Sequence, residues 1–327
     1  MNVSVTSPTI HPIIVPTKSS LKTFNFYLVK HNHAVFLVDA GVDTDICWEY
    51  FNQTLKKAKI ELEDLDAIIL THNHADHIGL VNRIREKIEI PVYAHPDAWI
   101  RLKRDPAFLE ARVSFFEKLY EQMGCGMEGD KQIKRLKKAI RKNDSQKING
   151  KIYPLADGEQ IFDLDVIEVL GHAPDHIALF DEETGVLFAS DLVIQHSSSN
   201  ALVDLGFDGK RIKSLIQYEA SLKKVADLPL KIIYSGHGVT IQNPHQVIAQ
   251  KLSRIEGKAD RLLSMLDEAQ TAAELAKLIY KDRYKKLFPL VMSEVIGHLD
   301  RLEDLQKIKK QVNDGIYYYS VKTGGEI

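Results

Sequence analysis

Three histidines and one aspartate, His72, His74, Asp76 and His77, lie within six residues in the segment IILTHNHADHIGL. Imidazole and carboxylate groups are the ligands that borderline divalent metals accept. An apolar run precedes the four residues and a helical pattern follows them, so they lie at a strand-to-helix junction. Such a junction is accessible to solvent and yet firmly anchored, which suits a functional site. The segment therefore predicts a metal site rather than a solvated loop.

The spacing of the four residues indicates that they serve two positions. His72 and His74 are two residues apart, so their side chains project to the same side of an extended backbone. Asp76 and His77 are adjacent, and once a helix begins their side chains diverge by about 100°. One segment can therefore supply ligands to two metal ions. Four residues are too few to complete both coordination shells.

Further candidate ligands follow apolar, strand-like runs later in the chain: His172 in VLGHAPDH, Asp191 in LFASDLV and His237 in IIYSGHG. In open α/β sheets, sites gather where several strands end at one edge. With the first four residues these make seven candidate ligands, five histidines and two aspartates. Seven ligands could hold two metals, and one carboxylate could bridge them.

The elements that must position these residues alternate between strand and helix in the first half of the chain. NFYLVK and AVFLVDAG predict a β-hairpin, DAIIL a buried strand, and HADHIGLVNRIREKI one helix. This alternation favours an α/β sandwich or a doubly wound sheet. Residues 97–151 break the rhythm and predict a helical insertion, either an active-site lid or a scaffold or dimer surface.

The end of the chain predicts a second unit. From residue 243 the pattern is helical, with three predicted helices followed by a hairpin around the NDG turn. Three helices and a hairpin are typical of a winged-helix-like unit. We therefore predict a catalytic domain over residues 1–242 and a C-terminal, helical, winged-helix-like domain over residues 243–327.

Composition narrows the class of protein. The chain has 327 residues and a net charge of −2, so no global field favours nucleic acid or a membrane surface. Its two cysteines, Cys47 and Cys125, form neither a disulfide framework nor a thiolate metal site. The N-terminus does not resemble a signal peptide, and no apolar run reaches the ~20 residues of a membrane span. We expect a cytoplasmic protein without a membrane partner.

The ordered set of Asp39 in LVDAG, the HNHADH segment, His172, Asp191 and His237 resembles the metallo-β-lactamase-fold hydrolases, over about residues 20–245. The resemblance implies an αββα sandwich with a dinuclear metal site in the cleft between its halves. It assigns the ligands as follows: His72, His74 and His172 to the first metal, Asp76, His77 and His237 to the second, and Asp191 to both. Asp39 would orient the site from behind the ligands.

The resemblance also implies a chemistry. Family members that run redox reactions on di-iron carry Glu at the position of His74, so the histidine here favours hydrolysis. Zn²⁺ is the expected metal, and Mn²⁺ or Fe would accept the same ligands. Two cations would convert a bridging water to hydroxide near neutral pH, for attack on a carbonyl carbon or a phosphorus. Asp76, close to that hydroxide, is the expected catalytic residue, which would orient it and move a proton.

Two later stretches, GHAPDHIALFDEETGVLFASDLVI and IIYSGHGVTIQNP, are similar to one branch of the family. It contains the mitochondrial β-lactamase-like endoribonuclease and its bacterial relatives, and glyoxalase II is more distant. Ser190 and Ser235 stand where that branch usually has Gly and Pro, and neither change removes a ligand. His176, near a ligand in sequence, is a candidate to support the site or contact substrate.

Three functions follow from these observations. The leading one is a dinuclear metal-dependent hydrolase of a small ester, thioester or lactone, with a small-molecule substrate as its partner and a homodimer as one option. The alternative is a single-strand endoribonuclease of the same fold. It has weaker support because the net charge is negative and the helix SEVIGHLDRLEDLQK has mixed charge. A metal-binding protein without turnover is the least favoured of the three. Such a protein usually lacks one or more metal ligands, and all seven are present here.

Overall fold

The computed structural model describes residues 7–197 and 201–322. Residues 1–6 and 323–327, the two ends of the predicted domains, and residues 198–200 lie outside the described residues. Most strands fall into two sheets, and a third sheet is a hairpin near the C-terminus. No described helix is both long enough and apolar enough to span a bilayer.

The first sheet has six strands in sequential order, antiparallel up to the third strand and parallel thereafter. Its strands are β1 (Thr9–Pro16), β2 (Thr23–His31), β3 (Ala34–Val38), β4 (Ala67–Ile69), β5 (Val92–Ala94) and β6 (Tyr153–Pro154). The predicted hairpin is β2 and β3. β1 was not predicted as a strand because Pro12 and Pro16 interrupt its pattern, and prolines are tolerated there because β1 is an edge strand.

The second sheet has five strands in the order β11, β10, β9, β8, β7, and only the β10–β11 pair is parallel. Its strands are β7 (Gln160–Ile161), β8 (Leu164–Glu168), β9 (Ile177–Asp181), β10 (Val186–Ser190) and β11 (Ile232–Ser235). β8, β10 and β11 each end shortly before one of the late candidate ligands.

The described residues form α-helices on the outer face of each sheet and in the insertion and C-terminal segments. They are α1 (Asp45–Ala58), α2 (Ala75–Ile78), α3 (Val81–Arg85), α4 (Trp99–Leu102), α5 (Pro106–Gln122), α6 (Gly126–Lys142), α7 (Ser214–Ala226), α8 (Pro244–Leu263), α9 (Ala272–Tyr280), α10 (Asp282–Lys286) and α11 (Phe288–Asp304). The C-terminal hairpin consists of β12 (Ile308–Asn313) and β13 (Ile316–Val321).

The two sheets pack face to face because their strands alternate in the direction of their side chains. In β2, Tyr27 and Val29 enter the core between the sheets, whereas Phe26 and Leu28 face the core that holds α1 and α3. In β10, Phe188 faces the first sheet and Leu187 the core that holds α7 and α8. Four layers result, and the predicted αββα sandwich is confirmed.

The insertion is joined to the C-terminal helices by one hydrophobic core. Side chains of α5, α9 and α11 belong to the same buried cluster, in which Tyr120 meets Phe288 at 5.1 Å between ring centroids. The Ala273 amide donates a hydrogen bond to the Met123 carbonyl across this contact. The insertion thus packs against the C-terminal helices, outside the sandwich.

The single helix predicted after the HNHADH segment is wrong, because the structure has two short helices, α2 and α3. Between them, the Gly79 and Leu80 amides donate hydrogen bonds to the carbonyls of Gly41 and Ala40 instead of continuing a helix. A Cβ at Gly79 would lie 2.2 Å from the Asp43 amide nitrogen, so only glycine permits this approach. The break fixes α2 against the end of the β3 segment.

The described part of the C-terminal segment, residues 243–322, contains four helices rather than the predicted three, because Lys281 adopts a positive φ of 47° and separates α9 from α10. The predicted hairpin turns at Asp314 and Gly315 as expected. Both cysteines, Cys47 and Cys125, are buried free thiols.

Candidate metal centre

The HNHADH segment lies where β4 gives way to α2. His74 is the N-cap residue of α2, with extended φ and ψ of −68° and 147°, so His72 and His74 still lie on extended backbone. Their rings therefore project to the same side, with His72 Nε2 3.0 Å from His74 Nδ1. Asp76 and His77 fall in the first turn of α2, and the His77 ring lies beside that of His72, with 4.1 Å between the ring centroids.

The first group of candidate ligands is His72, His74 and His172. His172 lies in the connection from β8 to β9, and its Nε2 is 3.2 Å from His72 Nε2 and 2.9 Å from His74 Nδ1. Three imidazole nitrogens thus converge on one point, and His72 and His172 are almost fully buried. Neutral imidazoles offer lone pairs in such an arrangement, which a cation can accept.

The second group is Asp76, His77 and His237. His237 follows β11, and its Nε2 lies 3.5 Å from Asp76 Oδ2. His77 Nε2 lies 3.9 Å from Asp76 Oδ1. The ligand atoms of the three residues lie within 4.8 Å of one another, and two of the three side chains are buried.

The carboxylate of Asp191 lies between the two groups, at the end of β10. Its Oδ1 is 3.5 Å from His77 Nε2 and 3.3 Å from His237 Nε2, both in the second group. Its Oδ2 is 3.4 Å from His172 Nε2 in the first group. One carboxylate thus faces both groups with different oxygens, as a bridging ligand would. The structure brings all seven predicted residues together.

Asp39 lies behind the ligands and contacts one of them directly. It is 2% exposed and has a left-handed φ of 64°, at the position just after β3. Its Oδ1 accepts a hydrogen bond from the Thr71 amide at 2.8 Å, and its Oδ2 lies 2.8 Å from His77 Nδ1. The hydroxyl of Ser190 donates to the same Oδ2 at 3.1 Å. This is the place that the resemblance gave Asp39.

For three of the histidines, a hydrogen bond to Nδ1 leaves Nε2 facing the centre. His77 Nδ1 donates to Asp39, and His237 Nδ1 donates to the Thr23 carbonyl at 2.7 Å. His72 Nδ1 lies 3.0 Å from the Thr71 hydroxyl, which in turn reaches Asp39 at 2.9 Å. With Nδ1 engaged as a donor, Nε2 is the atom of each of these three rings that faces the centre, and it binds a metal once the ring is neutral.

Electrostatics differ between the two groups. Burial and the neighbouring imidazoles hold the pKa of His72 well below its usual value, and burial lowers the pKa of His74 to about 3. These rings are neutral and can act as ligands. Burial also lowers the pKa of His77, but the carboxylates of Asp39 and Asp191 outweigh it and raise that pKa to about 10. The field around the second group therefore favours a positive charge.

Two buried polar atoms at the centre support the fit of a cation. His77 Nε2 and Asp191 Oδ1 have no hydrogen-bond partner among the described residues and lie 3.5 Å apart. A buried polar atom without a partner costs about 1–3 kcal/mol, so such atoms call for a ligand. Imidazole nitrogens and carboxylate oxygens suit a borderline divalent metal, and the seven residues fit two such ions.

Two hydroxyls behind the site, Thr71 and Ser190, were not predicted from the sequence. Ser190 has a φ of 44°, which explains why glycine is usual at this position in the resembling branch. Its hydroxyl reaches both Asp39 and Thr71, so serine here adds contacts that glycine cannot make. Ser235, at the usual proline position, donates to the Val193 carbonyl at 2.6 Å. Contacts of this kind cannot be predicted from the spacing of residues in the sequence.

His176, a candidate to support the site, lies directly against the first group. It is fully buried, and its ring centroid is 4.8 Å from that of His72 and 5.6 Å from that of His172. Burial holds the pKa of His176 well below its usual value, so the ring is neutral. It supports the two ligand rings by packing.

Comparison with known proteins places this geometry in a family. The Metallo-beta-lactamase superfamily model matches residues 25–237, about two thirds of the chain, and the match includes all seven candidate ligands. A solved structure of a metallo-beta-lactamase family protein from Thermus thermophilus is 27% identical with a TM-score of 0.75. The alignment covers 96% of this chain and 98% of that one.

Curated relatives agree with the family match. A probable metallo-hydrolase, YqjP of Bacillus subtilis, is 29% identical over 96% of this chain and 98% of its own length. A beta-lactamase-like protein 2 homolog of Drosophila melanogaster is 24% identical over 93% and 91%. An atrochrysone carboxyl ACP thioesterase of Aspergillus fumigatus is 28% identical over 31% of this chain and 28% of its own. The prediction of a hydrolase is confirmed, and the chain belongs to the Metallo-beta-lactamase superfamily.

Proposed function

We propose that this protein hydrolyses a small ester, thioester or lactone with two divalent cations bound at the seven-residue centre. The observation that carries the proposal is the position of Asp191, whose two oxygens face two separate groups of nitrogen and oxygen ligands. The relatives named metallo-hydrolase and thioesterase support the reaction class, the second over a short part of the chain only.

Each cation would have its own set of side chains. His72, His74 and His172 would hold the first, and Asp76, His77 and His237 the second, with Asp191 shared. When bound, two cations supply a nucleophile by lowering the pKa of water and polarise the carbonyl to be attacked. Five nitrogens and two carboxylates suit Zn²⁺, our proposed metal, and Mn²⁺ or Fe would accept the same set.

Asp76 is the residue that we propose to move a proton. Its side chain is 23% exposed, more than those of His77, Asp191 and His237, so it lies on the open side of the centre. Hydrolysis of a thioester forms a C–O bond, breaks the C–S bond and adds the elements of water. The Asp76 carboxylate would accept the proton that water loses, and that proton ends on the leaving sulfur.

A substrate panel tests the proposed function. The metal-loaded protein should hydrolyse at least one acyl compound among thioesters, esters and lactones, and should lose that activity when a chelator removes the metal. His74→Ala is the negative control, since it removes a ligand of the first group. Turnover confined to single-stranded RNA or to phosphodiesters would replace this proposal with the nuclease alternative. Background rates throughout would refute the hydrolase.

Asp76→Asn tests the proton transfer. At saturating metal, we expect kcat to fall by roughly 10²- to 10⁴-fold, because an amide cannot accept the proton. Metal content, measured by mass spectrometry, separates this loss from a loss of metal. Asp45→Asn, an exposed aspartate on α1, is the matched control and should behave as wild type. An Asp76→Asn protein with full metal content and full turnover would rule out the role.

Asp39→Asn tests the orientation of the ligands. The amide keeps the shape but removes the charge and one acceptor oxygen, so it cannot hold both Thr71 and His77 as the carboxylate does. We expect metal affinity to fall by about 10- to 100-fold, because mutation of a residue that hydrogen-bonds a metal ligand typically has an effect of this size. Competition with a chromophoric chelator gives the measurement. Asp181→Asn, a buried aspartate at the β9–β10 turn, is the control. Equal affinities in the two variants would show that Asp39 does not orient the metal ligands.

A further inference from the structure

A cavity of about 250 Å³ lies beside the metal centre, between the HNHADH segment and the insertion. We call it the arginine pocket, because three arginines of the insertion line it together with one ligand of the first group. The lining residues used below are Asn73, His74, Arg101, Arg104, Arg112 and Asp204. His74 belongs both to this wall and to the first group of candidate ligands.

The fold holds the three guanidinium groups in place. Arg101 donates from Nη2 to the Leu205 carbonyl at 2.5 Å, and its guanidinium carbon lies 4.6 Å from the centroid of the Phe108 ring. Arg104 donates from Nη2 to the Ile140 carbonyl at 2.9 Å, near the C-terminal end of α6. These contacts hold the arginines rigidly without neutralising their charge.

The pocket carries excess positive charge. Arg112 pairs with Asp204 at 2.7 Å, and Asp204 is the only carboxylate among the described lining residues. Within that part of the chain, Arg101 and Arg104 have no carboxylate within ion-pair distance, and Arg101 Nη1 and Arg104 Nε are buried without a hydrogen-bond partner. Both residues are half-buried, and a buried guanidinium nitrogen without a hydrogen-bond partner is costly, so an anion that accepts from it would offset that cost.

The nearest further acid does not remove this excess. Asp175 lies behind Asn73, whose side-chain amide donates to it at 2.5 Å. Burial raises the pKa of the Asp175 carboxyl to about 6, against the opposing effect of Arg101. A carboxyl with that pKa is still largely ionised near pH 7, so Asp175 offsets part of the charge of Arg101, and Arg104 keeps the pocket positive.

We propose that the arginine pocket binds a carboxylate carried by the acyl part of the substrate, so that the protein prefers acyl compounds with a negatively charged far end. This inference rests on the proposed function, because it names the substrate class of the same centre. A guanidinium matches a carboxylate with paired N–H donors, and His74 links the pocket to the metal centre. The volume is below the roughly 300–1,000 Å³ of pockets for drug-sized ligands, which favours a short chain.

A pair of substrates that differ only in charge tests the proposal. We would compare the glutaryl thioester of N-acetylcysteamine, which ends in a carboxylate, with the glutaramoyl thioester, which ends in a neutral amide. The metal-loaded wild-type protein should show a kcat/KM roughly 10- to 100-fold higher for the charged member, as expected for charge-assisted hydrogen bonds. Equal values for the two members would overturn the proposal while leaving the proposed function intact.

Two variants assign that preference to the pocket. Arg101→Met should raise KM for the glutaryl thioester and remove most of the preference, while the glutaramoyl thioester keeps its kcat/KM. Arg141→Met is the matched control, an exposed arginine on α6 that does not line the pocket. A loss of equal size on both substrates in Arg101→Met would make the arginine part of the scaffold and overturn the proposal.

Binding of the anion separates this inference from the proposed function. If neither thioester is hydrolysed, the proposed function fails for thioesters, and glutarate still tests the pocket. We expect glutarate to raise the Tm of the wild-type protein and of Arg141→Met, with glutaramide as the neutral control, and to lose this effect in Arg101→Met. An equal rise in Tm in Arg101→Met would refute carboxylate binding by the arginine pocket.

Discussion

The buried carboxylate of Asp39 is the interaction on which the candidate centre depends. It accepts hydrogen bonds from Thr71, His77 and Ser190, and so ties the ends of β3, β4 and β10 together. A carboxylate that is 2% exposed must be neutralised or fully hydrogen-bonded. Here the donors that satisfy it are attached to ligand segments of both sheets. The same hydrogen bonds that stabilise the buried carboxylate of Asp39 therefore also hold the ligand segments in position.

The αββα packing explains why ligands far apart in sequence meet. Each ligand follows the end of a strand, and the core between the sheets fixes where those ends lie through residues such as Phe188 and Ile69. Asp191 follows β10 in the second sheet and faces His77, which follows β4 in the first. The insertion lines a cavity next to His74 and is held by the C-terminal helices through Tyr120 and Phe288. Regions outside the sandwich thereby reach the surroundings of the candidate centre without supplying a ligand.

Much of the centre could be predicted because its signals are local. The spacing of His72 and His74 on extended backbone, and of Asp76 and His77 on a helix, follows from backbone geometry alone. The resemblance to a family then placed His172, Asp191 and His237, which lie far apart in sequence, and the structure brings them together. What could not be predicted depends on tertiary contact. The Ser190 hydroxyl meets Asp39 across 151 positions, Gly79 ends α2 because the backbone of the Val42–Asp43 segment lies against it, and the arginine pocket needs the insertion folded against α2.

Anomalous X-ray diffraction at the Zn edge, from crystals grown with Zn²⁺, would show whether the seven side chains hold two metal ions with Asp191 between them. We expect two anomalous peaks, one within about 2.0–2.2 Å of ligand atoms of His72, His74 and His172 and one similarly close to Asp76, His77 and His237. Different oxygens of Asp191 should face the two peaks. A single peak, or a second one away from these residues, would contradict this arrangement.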